Sequence, residues 1–502
     1  MGRGRGEQRM AAAAELEAQG AYIAGRFVPI APVDEIRRID PATETPRPPL
    51  PCAGPGDVDM AVAAAARSGW QATGRGERIA ALDRLIAAIA DRREDLARTI
   101  SREIGAPIDF ARAAQVGAAL DHLAATRAAL IAADGDLPVA PDRPADRVRY
   151  EPVGVAGLIT PWNWPLNQVV LKVGGALAAG CPMVLKPSEF ATDTALLFAA
   201  CVDAARLPAG VVNVIPGGAE TGRALVTHPG VDVVSFTGSS RAGREIAVAA
   251  APDFKRTILE MGGKSPNILF ADCDLDTALR QGIAHCFRNN GQSCNAASRM
   301  LVAREVYDAA VARAAEIAGA FPVGRPDAPG GHIGPQVNAA QFERVQDLIT
   351  SGIAEGARCV AGGPGRAPGF ARGFYSRPTV FADVAPAMRL FREEVFGPVL
   401  TMTPFDDEAE GIRLANDTAY GLAGYVQTAD PARADRVARA LRAGMVQVNG
   451  RSRAPGAPFG GMKASGIGRE SGLWGIRAFQ EVKSISGAVA IAKNTSPDDQ
   501  IC

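Results

Sequence analysis

Beyond Pro141 the chain alternates short apolar runs, rich in β-branched residues, with longer segments at helical spacing, and this alternation narrows its fold more than any other feature. The runs fall at residues 153–160, 182–186, 211–215, 231–236 and 257–259. Strand, helix, strand in that order implies parallel βαβ units, whose strands are covered on both faces and whose ligands settle beyond the strands' carboxyl ends. A second unit of the same kind begins near Gly262, with a helix over 275–287 and a strand near 300–302, which puts a domain boundary near 260. Ahead of these units, residues 11–131 read as a helical leader interrupted by a Pro-rich irregular stretch at 41–55. Residues 150–155 begin as part of a β-hairpin, and the alternating tail 482–491 is a candidate to pair with it.

The chain has 502 residues, 47% of them hydrophobic and 22% charged, enough for about three units at ~150 residues each and for a substantial core. Its 54 basic and 54 acidic side chains balance, which leaves no electrostatic footprint for nucleic acid or an anionic membrane. The uncharged stretch 152–171 has the length of a membrane span, but Pro161, Trp162, Asn163, Trp164 and Pro165 interrupt it, so no transmembrane helix is assigned. Residues 1–20 mix arginines, glutamates and alanines with no apolar segment behind them, and read as a flexible extension. Eight cysteines without a CxxC pair, and four histidines away from ligand spacing, indicate reduced thiols in the cytoplasm and no metal site.

Four short motifs carry chemistry. Phe236-Thr237-Gly238-Ser239 ends a strand and opens a helix that continues through Gly243, a turn where backbone N–H groups can approach a phosphate although GxGxxG is absent. Gly263-Lys264-Ser265 is not a P-loop, because position 258 is isoleucine. Lys186-Pro187-Ser188-Glu189 ends another strand with a cation and a carboxylate; the latter can accept both hydroxyls of an adenosine ribose and repels a 2′-phosphate. Solvated loop charges are the competing reading. Leu259-Glu260-Met261-Gly262-Gly263 holds a candidate general base at a strand end, or an ion-paired structural glutamate. Gly291-Gln292-Ser293-Cys294 places a cysteine among polar neighbours, as an accessible thiol requires. His285 and Cys286, adjacent on the preceding helix, face different ways and are not read as a dyad.

In this order, and together with Pro161-Trp162-Asn163-Trp164-Pro165, Glu393-Glu394-Val395-Phe396-Gly397-Pro398, Pro458-Phe459-Gly460-Gly461 and Gly468-Arg469-Glu470, these motifs resemble the aldehyde dehydrogenase superfamily over nearly the whole chain. The resemblance implies an α/β protein with a Rossmann-like NAD-binding domain (21–133 and 153–260), an α/β catalytic domain (261–465), and a β-hairpin oligomerisation element (134–152 with 480–495) that joins subunits into a homodimer or homotetramer. It implies Cys294 as nucleophile, Glu260 as base and Asn163 as oxyanion donor. Lys186 and Glu189 hold the adenosine ribose, Ser239 the pyrophosphate, and Glu394 with Phe396 the nicotinamide ribose and ring. Thr160, Trp162, Ser188, Gly222, Phe236, Thr237, Gly238, Gly243, Gln341 and Arg344 complete the implied cofactor set. NAD is expected over NADP because of Glu189, with NADP possible.

The expected reaction is oxidation of a small-molecule aldehyde to its acid through a cysteine thiohemiacetal and a thioester that water hydrolyses. The alternatives are transfer of the acyl group to coenzyme A, which the presence of Glu260 disfavours, and a silent structural homologue, which intact Cys294, Glu260 and Asn163 disfavour. Around the substrate, Trp164 is an aromatic wall, Leu171 stands where a bulkier aromatic is common in the family, Ser293 and Asn295 make the thiol's surroundings polar, and Phe459 and Glu470 are secondary residues. Arg451 or Arg453, in the entrance loop, could attract a carboxylate-bearing aldehyde, against the reading that both are simply solvated.

Overall fold

In the computed structural model of the protein the described residues are 20–133, 135 and 137–487. The expected N-terminal extension, apart from Gly20, and the end of the 482–491 tail lie outside them, as does Cys502.

The strands in chain order are β1 (Ala21–Ile23), β2 (Arg26–Val28), β3 (Asp34–Ile39), β4 (Pro46–Cys52), β5 (Leu137–Ala140), β6 (Arg143–Pro152), β7 (Ala156–Thr160), β8 (Met183–Pro187), β9 (Val212–Val214) and β10 (Val233–Gly238). They continue with β11 (Arg256–Met261), β12 (Pro266–Leu269), β13 (Arg299–Ala303), β14 (Arg358–Ala361), β15 (Thr379–Ala382), β16 (Val399–Phe405), β17 (Ala423–Gln427), β18 (Met445–Val448), β19 (Gly466–Ile467) and β20 (Gln480–Ile485).

Two large sheets carry the α/β architecture. The first has the order β19-β11-β10-β7-β8-β9-β1-β2, and its five central strands are parallel. From β7 the chain winds outward through β8 and β9, then returns to the other side of β7 for β10 and β11. The strand order therefore reverses between β7 and β10, the place where an open parallel sheet leaves a crevice for a ligand. The register brings the motif residues to one level: Ile159 pairs with Lys186, Phe236 with Ile159, and Thr237 with Glu260. Strands β7 and β8 are buried at every position, as expected for strands with helices on both faces. The second sheet, β14-β15-β16-β13-β12-β17-β18, is parallel except at β14.

The third sheet, β20-β6-β5, joins residues 137–152 to 480–485, so the tail does pair with the hairpin, in an antiparallel register from Gln480 opposite Pro152 to Ile485 opposite Arg147. The helical leader is the part of the sequence reading that needs correction. Its helices are there, at Pro55–Arg67, Arg75–Asp91 and Arg93–Ile104, but residues 21–52 form β1 to β4. The hairpin β1-β2 turns on Ala24 and Gly25, both at positive φ, and each strand has only three residues, too few to show a period. The ribbon β3-β4 contains Pro46, Pro48, Pro49 and Pro51, tolerated because a two-stranded ribbon consists only of edges. Among the described residues no helix is long and apolar enough to cross a membrane.

Candidate active site

A cavity of about 590 Å³ opens at the reversal between β7 and β10. Ten residues of the expected cofactor set line it: Thr160, Trp162, Lys186, Ser188, Glu189, Gly222, Phe236, Thr237, Gly238 and Ser239. Each sits at a strand end or in the first turns of the helices Ala219–Thr227 and Ser240–Ala250. Lys186 Nζ donates to the carbonyls of Pro187 and Gly217, both at 2.8 Å, and retains one proton for a ligand hydroxyl. Ser239 caps its helix by accepting from Ala242 N at 3.3 Å, so unpaired N–H groups of the first turn face an anion. On the same two helices Val226, Ile246 and Ala249 give the cavity an apolar wall, as a planar base requires. Sequence reading missed these three, since apolar residues on a helix face read as core. A polar floor, a helix terminus and an apolar wall fit an adenine dinucleotide.

The other five residues of the expected set, Gly243, Gln341, Arg344, Glu394 and Phe396, stand elsewhere. A Cβ on Gly243 would lie 2.3 Å from Met261 Sδ, so this glycine lets its helix approach β11 and does not line the cavity. Gln341 and Arg344 lie on the helix Ala339–Ala354 behind the Glu394-Phe396 segment. Gln341 Nε2 donates to the carbonyls of Val395 (3.1 Å) and Phe396 (2.8 Å), and Arg344 donates to that of Glu394 (3.0 Å). They hold Phe396 at φ +56, where its ring meets Trp162 edge-on at 5.4 Å. Glu394 Oε1 accepts from Gly263 N at 3.1 Å, and burial pushes this carboxyl up to about 7.

A second cavity, about 640 Å³, is lined by Cys294 together with Trp164, Asn295, Phe459, Tyr425, His285, Arg288 and Arg453. Leu171 does not line it; it is buried on the helix Pro165–Ala179, and Asn167 and Gln168, one turn nearer that helix's start, face the cavity instead. Arg451 is exposed and absent from the lining, whereas Arg453 is part of it.

The loop carrying Cys294 is fixed from both sides. Asn289, Asn290 and Gly291 all adopt positive φ, and a Cβ on Gly291 would lie 2.0 Å from the Gly397 carbonyl carbon, so only glycine fits. Asn290 Nδ2 donates to Pro335 O at 2.7 Å and Gln292 Oε1 accepts from Val337 N at 3.0 Å. From the other side Asn163 Nδ2 donates to Gln292 O at 2.9 Å, while the Asn163 carbonyl accepts from Gln115 (3.0 Å) and Asn289 (2.8 Å). The Asn163 amide is thus held against the cysteine loop with its second N–H uncommitted. Trp164 Nε1 donates to Ser293 Oγ at 3.0 Å, and Tyr425 Oη to Asn295 O at 2.7 Å.

The seven described cysteines are all free. Cys294 is half-buried and opens on the cavity, while Cys181, Cys201 and Cys286 are buried in the core. Burial, then the nearby carboxylates of Glu394 and Glu260, pushes the Cys294 thiol well above its ordinary range, and the N–H groups of Asn295 and Cys294 itself oppose that rise. The resting group is a thiol, and forming a thiolate requires an incoming positive charge or a base.

Glu260 is one of two carboxyls, with Glu394, whose charge reaches Cys294. Both its carboxyl oxygens are buried without a hydrogen-bond partner, and burial followed by the charge of Glu470 raises its pKa well above the carboxylate range. Glu470 is itself held by Lys172 Nζ at 2.5 Å, which also donates to Ser235 Oγ at 3.0 Å. Lys172 and Arg469 oppose the rise at Glu260 without cancelling it.

A doubly wound sheet with a dinucleotide-sized crevice that carries an amide and a carboxyl, joined to a second α/β unit that carries a thiol, defines a class of covalent oxidoreductase. Comparison with known proteins narrows it. Residues 27–485 match the model of the aldehyde dehydrogenase family. The chain is 44% identical to a Pseudomonas 3-succinoylsemialdehyde-pyridine dehydrogenase, over 93% of this chain and 98% of that protein. The crystal structure of an aldehyde dehydrogenase from Bartonella henselae superimposes with a TM-score of 0.92 at 46% identity, covering 93% of this chain and 99% of that one. That of aldehyde dehydrogenase C from Pseudomonas syringae, a mutant crystallised with NAD+ and octanal, gives 0.92 at 45%, covering 95% and 98%. The chain belongs to the aldehyde dehydrogenase family.

Proposed function

We propose that the protein oxidises an aldehyde to its carboxylic acid with NAD+: aldehyde, NAD+ and water give carboxylate, NADH and two protons. The observation that carries this is the presence of the Cys294 thiol in a cavity between Trp164 and Phe459, with the Glu260 carboxyl close enough to raise its pKa. Relatives crystallised with NAD+ support the same cofactor here.

In this reading Glu260, in its carboxylate form, takes the Cys294 proton and passes it to solvent, and the sulfur bonds to the formyl carbon. The oxygen becomes an oxyanion, met by the free N–H of Asn163 and the backbone N–H of Cys294. Bound NAD+ supplies the hydride acceptor that turns this adduct into a thioester. Glu260, again a carboxylate, takes a proton from the water that attacks the acyl carbon, and the adduct collapses to the acid and the Cys294 thiolate, which regains its proton from Glu260. Trp162, Phe396 and Glu394 would orient the nicotinamide end, and Lys186 and Glu189 the adenosine ribose.

Asn163→Ala is expected to fold and bind NAD+ yet lose ~10²–10³ in kcat, the usual effect of removing one oxyanion donor. NADH formation at saturating aldehyde measures it, and a kcat within threefold of the parent would take Asn163 out of the mechanism. Glu189 should make kcat/KM for NAD+ exceed that for NADP+ because its carboxylate faces the site of the 2′-phosphate. Glu189→Gln should lower that ratio by at least ~10-fold, as expected when a like-charge contact is relieved; an unchanged ratio would remove Glu189 from cofactor choice.

The domain division follows the sheets: residues 21–133 and 153–260 hold the dinucleotide, 261–465 the thiol. The three-stranded sheet of 137–152 and 480–485 supplies an exposed edge for joining subunits in a homodimer or homotetramer. Balanced charge and seven free cysteines support a cytoplasmic location.

A further inference from the structure

The substrate cavity has an unbalanced charge. Arg288 and Arg453 both line it, and no aspartate or glutamate does. Arg288 donates to His285 Nε2 at 2.8 Å, but its Nε–H is buried with no acceptor, and among the described residues no carboxylate pairs with it. The nearest ionisable neighbour that would favour its charge is the phenol of Tyr425, itself pushed up by burial. Arg453 donates to the carbonyl of Ala457, lies 3.3 Å from His122 Nε2 and stacks over Phe459 with its guanidinium carbon 5.3 Å from the ring centre, again with no carboxylate. The two histidines do not add charge at neutral pH, since burial lowers His122 to about 4 and His285 to about 3.

A guanidinium withdrawn from water without a counter-charge is costly, and folded proteins pair such groups with a carboxylate or a ligand. The protein offers none here, so the occupant of the cavity supplies it. Trp164, Phe459 and Tyr425 line the same cavity with aromatic rings, which suit a flat body.

We propose that the aldehyde taken by this site carries a carboxylate at the end remote from its formyl group, bound chiefly by Arg288, with Arg453 drawing it in from the entrance loop. This rests on the aldehyde-oxidising reading of Cys294 and adds the substrate class. A cationic aldehyde is excluded by the same walls.

The test compares 4-formylbenzoate with its methyl ester, which keeps the ring and formyl group and removes the charge. In the parent enzyme kcat/KM for the acid should exceed that for the ester by on the order of tenfold or more. Arg288→Gln should lower this acid-to-ester ratio on the order of 10- to 100-fold, mainly through KM, and Arg288→Lys should recover part of it. Arg453→Gln, in a loop where folding is not at stake, should lower the ratio less, and added salt should reduce its effect. Independently of turnover, terephthalate should bind the cofactor-free protein, read by tryptophan fluorescence, and bind more weakly to Arg288→Gln. An enzyme that oxidises the ester as well as the acid, or a variant that loses both equally, overturns the proposal. If neither aldehyde yields NADH, the oxidation reading falls, while Arg288-dependent terephthalate binding would still uphold the anion site.

Discussion

Cys294→Ala is expected to abolish aldehyde oxidation, with kcat at least ~10⁴-fold below the parent, because removal of a covalent nucleophile leaves only the binding and oxyanion contributions. NADH formation at 340 nm measures the loss, and quenching of tryptophan fluorescence by NAD+ should persist, since the dinucleotide cavity lies at the β7–β10 crevice and Cys294 is not among its walls. Among the described residues no other thiol lines the substrate cavity. Cys286 sits eight residues away on a helix, with its sulfur buried against the Val399 carbonyl at 3.5 Å, and the exposed Cys359 belongs to β14 at the far edge of the second sheet. Cys294→Ser should be nearly as inactive. A hydroxyl needs an adjacent base, and His285, the histidine on the preceding helix, is engaged with Arg288 and Tyr425. A Cys294→Ala enzyme keeping more than ~1% of kcat, far above what the remaining groups can supply, would show that oxidation does not pass through this sulfur.

The parts of the site that were legible in the sequence are those whose chemistry and conformation coincide. Lys186, Glu189, Ser239 and Glu260 stand at the carboxyl ends of buried strands, and a polar residue ending an apolar run is visible without coordinates. Cys294 follows Asn289, Asn290 and Gly291, three residue types that tolerate positive φ, so the turn that presents it is written locally. What escaped depends on packing between distant segments. Leu171 was placed at the substrate by analogy of position, but the rotation of its helix turns Asn167 and Gln168 to the cavity. Gln341 and Arg344 act through carbonyls of residues 394–396, contacts of more than 49 residues' separation that no local pattern encodes. Arg288 gave no signal at all, because a cation without its counter-charge becomes apparent only when its neighbours are known. The strands of residues 21–52 were lost to their brevity and prolines.

Glu260→Gln should let the first half of the reaction proceed and arrest the second. The arrangement of charges explains why. Glu260 and Glu470 share a buried site in which a 2.5 Å contact commits Lys172 to Glu470, and burial with the charge of Glu470 outweighs Lys172 and Arg469 in setting the Glu260 pKa. As pH rises through its raised pKa Glu260 becomes the carboxylate that activates water, so deacylation should climb with pH in the parent enzyme. The glutamine variant lacks that titration. Its steady-state rate should fall by ~10²–10⁴, the span general-base catalysis supplies, and the rising limb of the pH profile should vanish. Mixing with NAD+ and aldehyde should then give a burst of NADH of at most one per subunit, followed by a slow phase, with the acyl group retained on Cys294 and detectable by intact-mass measurement. Slow thiolate formation would shrink the burst without removing the acyl adduct, so the mass measurement separates loss of the base in hydrolysis from loss of the proton acceptor in attack. A variant that hydrolyses its thioester at the parent rate would transfer the role to Glu470, and that residue could take it only by giving up the lysine that now neutralises it.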